Sequence, residues 1–132
     1  LSYDLVVFDP DAAPKDHDAF LAWFDSHTEA EPFDTIRSEF STPKLRLWLE
    51  ELLKTFPAMN GYYAAADQDV DDPHLTDYGI DCSHINACFA WSLAESAYNA
   101  VMSLAEKHGI GVYEISDPEG KIWRPGSDGK LC

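Results

Sequence analysis

Positive charge is scarce in this chain. Nine Lys and Arg stand against 24 Asp and Glu, a formal net charge of −15. That balance argues against nucleic acid and anionic membrane as partners, since both attract cationic surfaces. No Lys or Arg occurs between Lys54 and Lys107, so that stretch offers no phosphate or nucleotide site. Glycine-rich phosphate loops are absent, as is the Gly-x-Ser-x-Gly elbow of serine hydrolases. No apolar run reaches the length of a membrane span. The opening residues, Leu1 to Phe8, lack the basic lead and long apolar stretch of a secretion signal. Cysteine is limited to Cys82, Cys88 and Cys132, an odd number without a disulfide framework. Free thiols and a cytoplasmic location are the expectation. Repeats, low-complexity tracts and linkers are missing too. One domain over 1–125 and a polar tail over 126–132 are therefore expected.

What is present is the material of a core. A chain of 132 residues buries enough surface to fold without a disulfide or metal staple. It holds seven Phe, six Tyr and four Trp, whereas disordered acidic chains are poor in aromatics. The acidity therefore belongs to a folded surface.

The apolar pattern predicts the elements. Tyr3 to Asp9 is β-branched and aromatic and reads as a strand closed by Pro10. Asp16 can cap a helix through Phe20, Leu21, Trp23 and Phe24. Glu29 to Ser41 reads as a loop. Thr42 and Pro43 open a second helix with the stripe Leu45, Trp48, Leu49, Leu52, Leu53 and Phe56. Residues 62–74 read as an acidic loop. Leu75 to Asp81 is a candidate strand, turning at Cys82-Ser83 into His84 to Trp91. In that run Ile85, Ala87, Phe89 and Trp91 share one face; His84, Asn86, Cys88 and Ala90 share the other. Ser92-Leu93-Ala94-Glu95 has the spacing of a capping box, and Gly109 ends the helix it starts. Val112 to Ser116 and Lys121 to Arg124 are short strands around a turn at Asp117 to Gly120. The fold class is α+β. The plan expected is ferredoxin-like, βα(α)ββαβ, an antiparallel sheet with helices on one face and an extra helix after the first.

Constellations for chemistry are weak. Asp67, Asp69 and Asp71 match the first ligands of a calcium loop, but Asp72 replaces its glycine and Tyr78 its bidentate Glu. Cys82, His84 and Cys88 lack the spacing and the fourth ligand of a zinc site, and read as structural thiols beside a surface histidine. The acids around Cys88 oppose a reactive thiolate. No metal, cofactor or catalytic residue is expected.

The remaining signal is where the charge lies. Asp67, Asp69, Asp71, Asp72, Asp77 and Asp81 follow one another without a base. Tyr62, Tyr63 and Tyr78 accompany them. Acids beside tyrosines suit a steered, specific protein interface, and these nine residues are the candidate partner-binding set. An alternative site is an open sheet face around His84, Asn86 and Cys88, which would bind a small molecule or act on one.

Several segments resemble a family of small acidic bacterial proteins. They are Tyr3 to Pro10, Phe20 to Phe24, Thr55 to Gly61, Thr76 to Tyr78, Phe89 to Ser92 and Lys107 to Gly111. The likeness extends to about Pro125. Proteins of this type look like immunity proteins encoded beside secreted antibacterial toxins of the polymorphic, Rhs-type class. The resemblance implies a cognate toxin domain as partner, neutralised by masking of its cationic cleft, and it brings no catalytic motif.

Overall fold

The computed structural model describes residues 2–30, 42–59 and 72–132. These residues form an α+β fold. Its elements are β1 (Tyr3–Phe8), α1 (His17–Ala30), α2 (Pro43–Leu52), β2 (Asp77–Ile80), β3 (His84–Phe89), α3 (Ala94–His108), β4 (Gly111–Tyr113) and β5 (Ile122–Trp123). The strands make an open antiparallel sheet in the order β2-β3-β1-β4-β5. No helix among the described residues is long and apolar enough to cross a membrane.

Strand β1 is central. Val6 faces Asn86 on one neighbour and Tyr113 on the other. Leu5, Val6, Val7 and Phe8 are all buried, so both faces of the sheet are covered here. On one face Leu5, Val7, Ile85, Ala87, Phe89 and Val112 pack against α2 and α3 through Trp48, Leu49, Leu52, Val101 and Ala105. On the reverse face Val6 and Phe8 pack against Phe20 and Phe24 of α1. The expectation that all helices lie on one face is thus corrected. The reason is the aromatic face of α1: Phe20 stacks 4.8 Å from Phe8, and Phe24 lies 5.5 Å from Tyr113.

The helix ends differ in detail from their sequence signals. Asp16 caps α1 as its position suggests, accepting the Ala19 N–H at 3.0 Å. Thr42 sits at the N-cap of α2, but its hydroxyl makes no capping bond. The Ser92 capping box does not form either. A single 3-10 turn, Trp91–Leu93, intervenes, and Leu93 becomes the N-cap of α3. Strand β3 accordingly ends at Phe89, two residues before Trp91. Gly109 stops α3 at φ 68°, a left-handed conformation that a side chain resists. Across the helix pair, Glu51 of α2 accepts from Lys107 at 2.6 Å and bonds His108, which hold its carboxyl below the usual range.

The polar segment beyond β5 is not loose. Arg124 and Cys132 exchange backbone hydrogen bonds at 2.9 and 3.0 Å, and Leu131 packs against the main core.

Candidate functional site

Five of the nine expected partner-binding residues, Tyr62, Tyr63, Asp67, Asp69 and Asp71, lie outside the described residues. The other four surround β2, in different environments. Asp72 is folded into a turn, accepting the His74 N–H at 2.9 Å and its ring Nδ1–H at 3.0 Å. Those bonds hold its carboxyl below the ordinary value. Asp81 accepts the Cys82 N–H at 2.6 Å, at the far end of the strand. Asp77 is exposed on the strand itself. Four extended residues separate Asp77 from Asp81, about 13 Å, so the two flank opposite ends of the sheet.

Tyr78 requires a correction. Only 2% of it is exposed, and its hydroxyl donates to the Phe56 carbonyl at 2.7 Å. It alternates with Asp77 on β2, so its ring points into the main core while the carboxylate points away. Tyr78 is a core residue and not a surface anchor.

The structure brings a different set together, at the end of the sheet where β1 and β2 begin and β3 and β4 finish. Cys88 pairs in register with Asp4 on one side and Asp77 on the other, so the three side chains form a row across the reverse face. Asp4 is tied to the turn after β4, its N–H donating to Ser116 Oγ at 2.9 Å. That turn carries Glu114 and Asp117. Facing them are Tyr3 of β1 and Tyr98 of α3. Burial pushes the Tyr3 phenol up to about 12, and Glu114, Tyr98 and Asp117 add to the shift. Tyr98 is raised by its burial and then by the same two carboxylates. Trp91 completes the rim, 48% exposed and stacked 5.1 Å from Tyr3. Trp123 Nε1 donates to Glu114 at 2.7 Å, and Lys121 lies over the Trp123 ring, 3.8 Å from its centre.

Asp4, Asp77, Glu114 and Asp117 take part in no ion pair among the described residues. This rim is therefore electronegative and aromatic. Trp91, expected on one strand face with Ile85, Ala87 and Phe89, instead lies beyond the end of β3. The signal that finds it is the Ala90-Trp91-Ser92 junction, since a ring between a strand and a helix start sits where side chains leave the core.

The alternative face is mostly closed. His84 is fully buried beneath α1, with the Phe24 and Trp23 rings at 5.4 and 5.9 Å. The expected surface histidine is thus a core residue. It shares a face with Asn86 and Cys88, as the alternation predicts. Asn86 Oδ1 is buried with no hydrogen-bond partner among the described residues, and Cys88 is half-buried beyond it. Burial pushes the Cys88 thiol up to about 12, with the Asp4 and Asp77 carboxylates raising it further. Iodoacetamide at pH 8 is expected to alkylate exposed Cys82 and Cys132 at least about a hundredfold faster than Cys88, as read by peptide mass spectrometry. Equal rates would show an activated Cys88. Among the described residues, no group of three His, Cys, Asp or Glu side chains is placed to hold a metal ion.

Comparison with protein-family models, with curated proteins and with solved structures finds no match.

Proposed function

We propose that this chain is a non-enzymatic immunity protein of the cytoplasm, which binds and neutralises a cognate antibacterial toxin through an acidic surface. The observation that carries the reading is one end of the sheet, where Glu114 and Asp117 lie beside Tyr3 and Tyr98 with Trp91 next to them, and Asp4 and Asp77 flank Cys88 on the reverse face. Like charges gathered at one end of the sheet and engaged in no ion pair among the described residues repel, and a cationic partner relieves that repulsion. Exposed Trp and Tyr beside them supply the apolar anchors on which binding energy concentrates. A toxin that attacks nucleic acids or nucleotides has a cationic cleft, and an acidic protein can occupy it as a polyanion mimic. The resemblance to small acidic immunity proteins supports the same reading. The strand order β2-β3-β1-β4, with α2 and α3 across one face, supports a ferredoxin-like plan extended by β5 and α1.

The test uses the toxin domain encoded in the neighbouring reading frame. Co-expression of this chain is expected to restore growth of a host producing that toxin. An Asp77→Lys/Glu114→Lys/Asp117→Lys variant is expected to associate about ten- to a hundredfold more slowly and to lose its salt dependence. Trp91→Ala is expected to weaken binding about tenfold or more through faster dissociation. Full-rate association by the triple variant would remove this surface from the interface.

A further inference from the structure

A third of the chain's nine Lys and Arg are brought to one place. These three, Lys15, Lys44 and Arg124, line one cleft of about 400 Å³ at the opposite end of the sheet from the acidic rim. They come from three separate places in the sequence: the turn after β1, the first turn of α2, and the residue after β5. Pro10, Pro125 and Gly109 supply the remaining walls, and Asp11 is the one acid on the lining among the described residues. Its carboxylate lies 3.7 Å from Lys44 and, being 87% exposed, pairs with it only through a solvent-screened contact.

Arg124 is held ready. Its guanidinium donates from Nη2 to the Pro14 carbonyl at 2.5 Å. It also lies over the Phe8 and Phe20 rings, 5.6 and 5.5 Å from their centres. These contacts fix the planar group at the cleft and leave other N–H donors for a ligand. A neighbouring carboxylate, Asp9, is occupied in the same turn by the Asp11 N–H at 2.9 Å. Three cations lining one cleft attract an anion more strongly than any one of them alone.

We infer that this cleft is a binding site for a compact multivalent anion, a phosphoryl or dicarboxylate group on a small molecule. Its walls accept only a small organic body beside the charged group. Lys15 and Lys44 act as point charges at its mouth, and Arg124 as the oriented fork behind them. The site is independent of the acidic rim, and either can exist without the other.

Amide NMR titration of the labelled protein tests it. The probes are inorganic phosphate, pyrophosphate and succinate, at ionic strength held constant with sodium chloride. Saturable shifts at the amides of Lys15, Lys44, Gly109 and Arg124 are expected with at least one probe. The probe that saturates first identifies the headgroup as phosphoryl or carboxylate. Lys15→Gln/Lys44→Gln is expected to weaken that binding about tenfold or more, while Lys54→Gln/Lys130→Gln, with the same change in net charge, leaves it unchanged. Lys15→Gln alone gives the same direction of change if the double variant loses its dispersed spectrum. Shifts that rise linearly for every probe, or saturation equal in parent and Lys15→Gln/Lys44→Gln protein, would overturn the proposal.

Discussion

Trp48→Ala is expected to cost about 3–5 kcal/mol of folding stability, the range for removing a large buried aromatic. Trp48 is fully buried where α2 meets α3. Its Nε1–H reaches the Val101 carbonyl at 3.4 Å, a long bond buried between the two helices, away from the exposed Glu51–Lys107 contact at their far end. Alanine leaves a void in the buried cluster that holds Leu45, Leu49, Leu52 and Val101, which helix positions keep from closing fully. A domain of this size has about 5–15 kcal/mol in total, so the loss takes a large share of it. Urea unfolding should show the midpoint moved with little change in slope, and the melting temperature should fall by about 10–20 °C. Trp48→Phe keeps most of the volume and should lose less than half as much. Equal losses for the two would place the energy in the indole hydrogen bond and not in packing.

Gly111→Ala is the second large effect, and its mechanism is the reverse. Gly111 pairs in register with Phe8, and the Phe8 ring lies across it. A Cβ at Gly111 would stand 2.2, 2.5 and 2.7 Å from three atoms of that ring. The ring has no room to retreat, with Phe20 stacked 4.8 Å from it and the Arg124 guanidinium 5.6 Å away. The expected cost is about 2–3 kcal/mol, the upper part of the range for overpacking. A double-mutant cycle separates this from any effect of backbone freedom. Phe8→Leu/Gly111→Ala should be less destabilised than the sum of the single variants by about 1 kcal/mol or more. Strict additivity would show that the methyl group is accommodated elsewhere.

The elements of this fold were legible because their signals are local. Alternation places His84, Asn86 and Cys88 on one face, Gly109 marks the end of α3, and Asp16 marks the start of α1. The faces to which helices dock are not local properties. The unbroken run Leu5-Val6-Val7-Phe8 did carry the information, since a strand buried on both sides loses its alternation. Read that way, it requires a cover on the reverse face, and the aromatic stripe of α1 is that cover. The capping box failed for a different reason. Ser92 has the right spacing to Glu95, but the chain leaves β3 through a 3-10 turn that moves the N-cap one residue onward, to Leu93. The candidate site was only partly legible. Consecutive aspartates along β2 looked like one patch, yet strand geometry sends Asp77 and Asp81 to opposite ends. The rim gathers Asp4, Trp91, Tyr98 and Asp117 from four separate stretches of chain, and no spacing rule connects them.

The central position of β1 also bears on how the chain is made. Its partners β3 and β4 follow some 80 and 105 residues later. At translation rates of about 5–20 residues per second, β1 emerges about 4–16 s before its first neighbour exists. Through that interval Leu5-Val6-Val7-Phe8 is an apolar strand with no ladder on either edge, a template for pairing with another nascent chain. Its flanking acids, Asp4 and Asp9, then act as gatekeepers, because two such segments brought edge to edge align like charges. The charge that shapes the finished surface thus also guards the strand on its way to the centre of the sheet.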